Sequence, residues 1–273
     1  MSIREQFKRT EKLYHFTSYD TAKLILESNQ LRFGRLNNMN DIHENDKLMF
    51  ADANGVGIDE FPTDVLDVFY DEIYKYRQIS LSSDSEKGDK EGFDLHQMWG
   101  LYAEKGEGVC LVFDKKELIN TINSLHLHYG RMSYKGTKEL ESFCISNSSR
   151  PDEIRDEVES RLADFYFHKR IEWEHEQEFR VIKRCPNPNR EEYLWLSHSL
   201  QFIIMSSKLL NVDEVKYSKR IAEMQRKAKD IPILIYGNGL LDYTLVSPDG
   251  EEIWISDDGY DVLVWDENCK LAL

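Results

Sequence analysis

The sequence is poor in cysteine, and its cysteines do not form the patterns of ligands or paired thiols. The four are widely separated, at Cys110, Cys144, Cys185 and Cys269, and no C-x-x-C pair occurs. In a reducing compartment such cysteines are free thiols, which excludes a zinc finger and a disulfide-rich small domain. The chain also lacks any run of about 18 apolar residues, so we expect no transmembrane helix.

The first eight residues, Met1 to Lys8, are charged and lack the apolar centre of a signal peptide. We therefore expect a cytoplasmic protein that makes no membrane contact.

Positive charge is scarce, with 35 Lys and Arg against 50 Asp and Glu and a formal net charge of −15. This balance disfavours broad contact with nucleic-acid backbones or anionic membranes. A local basic groove stays open as an alternative. The hydrophobic fraction of 41% and the aromatic fraction of 12% support a sizeable core in 273 residues.

The chain shows no internal repeat, low-complexity tract or obvious linker. Short strand and helix patterns alternate irregularly, which predicts an α+β fold of mixed, mainly antiparallel sheets with flanking helices. We expect residues 1–190 to form the core. Residues 191–273 are predicted to be a strand- and hairpin-rich addition packed on the same domain.

Two helix signals are clear. Apolar residues recur at helical spacing over 151–165, where Pro151 opens a predicted helix. A shorter helix is predicted to follow Ser18, and Asn29 is a left-handed stop for it.

The stretch from Trp173 to Arg180 reads W-E-H-E-Q-E-F-R. If it is a strand, alternation places Glu176, Glu178 and Arg180 on one face. One interpretation is a surface strand with Glu–Arg pairing, which stabilises little. The other is a site in which a carboxylate stabilises the cationic transition state of N-glycosidic bond cleavage. The sequence leaves both open.

Two further segments place polar side chains on predicted strands. His15, at the end of a strand over residues 11–16, is either a satisfied structural residue or a hydrogen-bond donor to a ligand hydroxyl. Ser80 and Ser82 share a face of a strand over residues 77–82, where they either cap a turn or contact a ribose or a carboxylate. No G-x-S-x-G motif is present, which disfavours serine-hydrolase chemistry.

His126 and His128 share a face if residues 126–134 form a strand, and they could then bind a metal. No third ligand has suitable spacing, so we predict no metal. A metal-dependent nuclease is therefore the weakest of three functional hypotheses, and the net charge also counts against it.

Five motifs occur in a fixed order over about residues 11–184. They are Tyr14-His15-Phe16-Thr17-Ser18, Asn40-Asp41-x-x-Glu44, Met98-Trp99-x-x-Tyr102, Gly108-Val-Cys-Leu-Val-Phe113 and Trp173-x-x-Glu176-x-Glu178-x-Arg180. Together they resemble a large bacterial family of unknown function that is related to proteins associated with abortive phage resistance. The layout of that family is in turn similar to the ADP-ribosyltransferase fold, from which this chain departs by a helix directly before the glutamate stretch.

This resemblance implies NAD as a substrate and an ADP-ribosyltransferase-like core. It implies that His15 binds the NAD ribose, that Glu178 is the catalytic carboxylate, and that Glu176 positions or deprotonates the acceptor. Arg180 would orient a glutamate. The residues contacting the nucleotide would be Tyr14, His15, Thr17, Ser80, Ser82, Trp99, Tyr102 and Arg180, with Trp99 and Tyr102 as candidate nicotinamide clamps.

Two functions from different classes follow. The first is an NAD-consuming ADP-ribosyltransferase or NAD glycohydrolase, in phage defence or as a toxin, with a nucleotide substrate and a protein acceptor. The alternative is a non-enzymatic nucleotide- or protein-binding module of a bacterial defence system. In the enzyme, His15, a serine of 80–82 and Glu178 should share one pocket. In the module, Glu178 should form a closed pair with Arg180, and no cavity should adjoin it.

Overall fold

The computed structural model describes residues 3–36, 50–52, 63–85, 91–135, 143–145, 150–209, 213–238, 243–246 and 252–255. The helices are α1 Ile3–Arg9, α2 Tyr19–Ser28, α3 Thr63–Tyr74, α4 His96–Leu101, α5 Lys115–Ser124, α6 Pro151–Ser160, α7 Leu162–Tyr166 and α8 Glu214–Ala228. The strands are β1 Lys12–Thr17, β2 Gln30–Arg32, β3 Gly34–Arg35, β4 Phe50–Asp52, β5 Tyr76–Ser83, β6 Val109–Asp114, β7 His128–Arg131, β8 Ser133–Lys135, β9 Phe143–Ile145, β10 His168–Arg170, β11 Glu178–Arg184, β12 Tyr193–Trp195, β13 Leu200–Ser206, β14 Ile233–Asn238, β15 Tyr243–Val246 and β16 Glu252–Ile255.

The fold is α+β, with mostly antiparallel strand pairs and flanking helices, which confirms the predicted fold class. The chain forms two compact units. Unit 1 is Met1–Gln30, Leu81–Thr121 and Trp195–Leu273, and unit 2 is Leu31–Ser80 and Ile122–Leu194. The division at residue 190 and the ADP-ribosyltransferase-like core stay predictions.

In unit 1, β1 lies between β6 and residues 81–83 of β5, and both pairings are antiparallel. The sheet continues from β6 through β13, β14 and β15 to β16. Only β13 and β14 among these run parallel, and α8 provides the crossover that parallel neighbours require. All six residues of β6 are buried, and the first five, Val109 to Phe113, form an unbroken apolar run in the sequence.

The core of unit 1 is rich in aromatic residues that pack edge to face or stacked, among them Phe7, Phe93 and Phe202. Helix α2 begins at an N-cap, Ser18, whose hydroxyl accepts from the backbone N–H of Thr21 at 3.1 Å. It ends at Asn29, which has φ 54° and ψ 38°. The predicted left-handed stop is confirmed.

In unit 2, β11 lies beside β5 and pairs with β7 antiparallel, while β3 pairs with residues 77 and 78 of β5. A short parallel pair, β8 and β10, places Lys169 opposite Tyr134. The hydrophobic cluster consists of side chains mainly from α3, α6 and α7, together with Ile182 of β11.

The strand predicted over residues 173–180 is wrong in its first half. Residues Ile171–Glu176 form a 3₁₀ turn, and Gln177 is left-handed at φ 46° and ψ 45°. Strand β11 begins only at Glu178. Glu176 and Glu178 therefore do not alternate along one strand, because the left-handed Gln177 separates the 3₁₀ turn that ends at Glu176 from the strand that begins at Glu178.

The helix predicted over 151–165 is interrupted at Arg161, whose φ of −120° and ψ of 26° separate α6 from α7. Leu162, Phe165 and Tyr166 of α7 are all buried. The strand predicted from residue 126 is also shorter. His126 has φ 52°, outside β7, so it does not share a strand face with His128.

The Asn40-Asp41-x-x-Glu44 motif lies outside the described residues. Among those that are described, no helix has the length and apolar character needed to cross a membrane.

Candidate functional site

Four charged side chains are buried together at the start of β11 in unit 2. Arg180 and Glu178 form a bidentate ion pair, in which Arg180 Nε donates to Glu178 Oε1 at 2.7 Å and Arg180 Nη2 donates to Glu178 Oε2 at 3.0 Å. Lys169 Nζ lies 2.9 Å from Glu178 Oε2 and 2.6 Å from Glu176 Oε2. The four side chains are between 0% and 5% exposed. We call these four residues the ion network.

Local backbone geometry assembles the ion network. The left-handed Gln177 lets Glu176, from the 3₁₀ turn, and Glu178, from β11, both reach Lys169 of β10. The backbone N–H of Glu178 donates to Tyr134 Oη at 2.7 Å. Arg180 Nη1 donates to the carbonyl of Tyr166, at the end of α7, at 2.8 Å. Elements from four parts of the sequence thus fix these side chains.

The two carboxylates and two cations balance in charge, as burial requires. Burial raises the pKa of Glu178, but the charges of Arg180 and Lys169 and the hydrogen bonds from Arg180 and Ser80 outweigh burial and lower the pKa to about 2. Glu178 therefore stays ionised at any physiological pH.

Both oxygens of Glu178 are occupied by cationic donors, and the Lys169 ammonium also lies 5.2 Å from the centre of the Trp173 ring. To touch a ligand, Glu178 would have to give up one of these contacts. Such satisfied, buried charge networks fix a local structure.

A second group of polar side chains lies in unit 1, beyond the end of β5. Tyr14 Oη donates to Asp84 Oδ1 at 2.7 Å and lies 3.4 Å from Glu91 Oε2. Asp84 Oδ1 also accepts from the backbone N–H of Gly92 at 2.8 Å. A side chain at Gly92 would collide with the Tyr14 ring, since its Cβ would lie 2.3 Å from Cδ2.

The two carboxyl groups in this cluster affect each other. Burial and then the nearby Asp84 charge raise the pKa of Glu91, and burial with the same two carboxylates raises the pKa of the Tyr14 hydroxyl. Carboxyl pairs of this kind hold a proton more tightly than isolated ones.

The other residues predicted to contact a nucleotide from unit 1 differ in exposure. Trp99 is buried: its Nε1 donates to the Phe93 carbonyl at 2.8 Å, and its ring stacks on Tyr236 at 5.3 Å between centroids. Tyr102 is partly buried and packs against the hydrophobic core of unit 1, to which Trp99 and Tyr236 belong.

His15 is half-buried and lies opposite Leu111, while Thr17 is buried opposite Val109. Ser82 is buried, and its Oγ has no hydrogen-bond partner among the described residues.

Of the predicted site residues, the structure brings Glu176, Glu178, Arg180 and Ser80 together in unit 2. The remainder belong to unit 1. Sequence reasoning missed Lys169, although the basic triplet His168-Lys169-Arg170 is a natural complement to the glutamates that follow it. It also missed Asp84 and Glu91, whose only signal is their position at either end of a polar segment.

Within the described part of the chain, no group of three or more His, Cys, Asp or Glu side chains is placed to hold a metal ion. The catalytic and nucleotide-contacting roles of the residues above are not decided by this geometry and stay predictions.

Residues 98–181 match a family model. The family is described as "Protein of unknown function (DUF2971)", and the match spans less than a third of the chain. It includes the last four residues of α4 and the whole ion network, and it supports the predicted resemblance to a family of unknown function. No curated protein and no solved structure matched the chain. The relations to phage resistance and to ADP-ribosyltransferases stay predictions.

Proposed function

We propose that this chain is a non-enzymatic binding module for a nucleotide or a protein, in which Glu178 is a structural residue. One observation carries the proposal: both Glu178 oxygens accept from buried cationic donors, Arg180 on each and Lys169 on one. The resemblance to proteins associated with phage resistance suggests a bacterial defence system as its setting.

The energetics support the structural role. A buried pair that loses one partner leaves an uncompensated charge, and this typically costs about 3–5 kcal/mol. Releasing Glu178 toward a substrate would carry part of that cost in each reaction cycle. A binding module has no need to release it.

The test combines an activity assay with a stability measurement. We expect no nicotinamide release when the purified protein is incubated with NAD, with or without cell lysate as a source of acceptor. We expect Glu178→Gln to lower the free energy of unfolding in urea by about 3 kcal/mol or more. Glu174→Gln, the same change at an exposed position of the same stretch, should change it by less than about 0.5 kcal/mol.

The second candidate, an NAD-consuming enzyme, is favoured by a different observation. Glu178 is ionised, with a pKa of about 2, and it also receives a hydrogen bond from Ser80. An anionic carboxylate is what an oxocarbenium-like transition state requires. Nicotinamide release by the wild type, abolished in a Glu178→Gln variant that unfolds at the wild-type urea concentration, would replace the first proposal by this one.

A further inference from the structure

Two arginines of unit 2, Arg35 of β3 and Arg77 of β5, are direct cross-strand partners. Like charges placed opposite each other in an antiparallel pair are destabilising. Arg77 is also buried, with only 5% of its surface exposed, whereas Arg35 is exposed. A cationic pair with one buried member is therefore an arrangement that folding alone does not favour.

Both guanidinium groups point at the same atom. Arg35 Nη2 donates to the carbonyl oxygen of Pro188 at 2.5 Å, and Arg77 Nη2 donates to it at 2.8 Å. The two nitrogens are thus no farther apart than the sum of those distances. Arg77 Nη2 also lies 3.4 Å from the carbonyl oxygen of Asn187. A neutral carbonyl does not compensate two positive charges.

The nearby carboxylates are already paired with other cations. Glu191 lies 3.4 Å from Arg32, and Glu192 lies 2.7 Å from Lys183 and 3.1 Å from Arg190. The Arg77 charge helps to lower the pKa of Glu191 and of Glu192, but in the described part of the chain no carboxylate lies within ion-pair distance of Arg35 or Arg77. Arg35 and Arg77, together with Arg32, Lys183, Arg190, Glu191 and Glu192, hold an excess of positive charge in a chain of net charge −15.

We infer that Arg35 and Arg77 form a binding site for a phosphate group, free or carried by a nucleotide. Each guanidinium keeps further N–H donors in a planar fork, a geometry that matches the oxygens of phosphate. A phosphate bridging the two would supply the missing negative charge. The inference uses no residue of the ion network, so it stands or falls separately from the role of Glu178.

The probes are inorganic phosphate, AMP and adenosine, titrated calorimetrically into the full-length protein at constant ionic strength. We expect phosphate and AMP to bind and adenosine not to bind. AMP binding more tightly than phosphate would identify a nucleotide as the source of the phosphate group, and equal affinities would identify free phosphate.

The variants separate a specific site from general charge attraction. Arg35→Gln and Arg32→Gln each remove one positive charge from an exposed position of the same region, but Arg32 is already paired with Glu191. We expect Arg35→Gln to weaken phosphate binding about tenfold or more, and Arg32→Gln to weaken it less than about threefold. Arg35→Lys should not restore the affinity, because an ammonium lacks the planar fork.

Arg77→Gln is a second variant, with its fold checked by circular dichroism because Arg77 is buried. If it does not fold, Arg35→Gln and Arg35→Lys still decide the question. No phosphate binding by the wild type, or equal weakening by Arg32→Gln and Arg35→Gln, would overturn the inference.

Discussion

At the residue scale, two ion pairs of the same length differ in solvent exposure, which determines how much each pair stabilises the protein. Lys169–Glu176 and Lys115–Glu11 both measure 2.6 Å between Nζ and Oε2. The first pair is at most 5% exposed, whereas Glu11 in the second is 76% exposed. Solvent screens the second pair, and such pairs contribute about 0–1 kcal/mol. The distance between the charged atoms therefore does not by itself distinguish a buried structural ion pair from an exposed one that contributes little to stability.

For Glu91 we predict the opposite of what we expect for Glu178: removing its carboxylate should stabilise the protein. Its pKa is raised by burial and by Asp84, so its contribution to stability is complete below the unfolded value of 4.5 and is lost as pH rises through the folded pKa. At pH 7 its charge opposes folding. We expect Glu91→Gln to raise the free energy of unfolding in urea at pH 7, with the gain shrinking below pH 4.5.

The control for this variant is Glu174→Gln, at an exposed position, which should leave stability within about 0.5 kcal/mol at either pH. A loss of stability in Glu91→Gln at pH 7 would mean that the Glu91 charge is stabilised by contacts stronger than its repulsion from Asp84.

At the element scale, local signals were enough wherever a short stretch determines its own geometry. Ser18 and Asn29 mark the ends of α2, and the unbroken apolar run of β6 marks a buried strand. The failures are of another type. Gln177 adopts a left-handed conformation, which is uncommon for glutamine and which its sequence does not predict. The strand predicted across it is therefore wrong in its first half.

Gln177 also gives a prediction about this element. Its φ of 46° is unfavourable for side chains branched at Cβ. We expect Gln177→Val to lower the free energy of unfolding by about 1–2 kcal/mol, because valine would resist the turn that lets Glu176 and Glu178 share Lys169.

Gln177→Asn is the control for this substitution, since asparagine tolerates the left-handed region; it should cost less than half as much as valine when urea midpoints are compared. Equal costs would show that the lost hydrogen bond from Gln177 Nε2 to the Glu174 carbonyl, and not the backbone conformation, determines stability here.

At the scale of the whole molecule, the sequence predicted the α+β class but not the partners of its charges. Lys169 lies in β10, which pairs with β8, whereas Glu178 lies in β11, which pairs with β7. Arg35 meets Arg77 through the pairing of β3 with β5. Such meetings depend on strand registers set by packing over long sequence separations. A composition that reads as acidic therefore conceals both a neutral buried network and a local excess of positive charge.

The ion network should also shape the acid unfolding of the whole protein. Glu178 has a pKa of about 2 when folded against an ordinary value of 4.5, so its ionisation contributes about 3 kcal/mol above pH 4.5. The sign follows from the lowered pKa: this contribution is lost as pH falls from 4.5 toward 2. Urea unfolding of the wild type and of Glu178→Gln at pH 7, 5 and 3 should show a deficit in the variant that shrinks at pH 3. A deficit that does not change with pH would mean that packing and hydrogen-bond geometry, and not the Glu178 charge, account for its effect on stability.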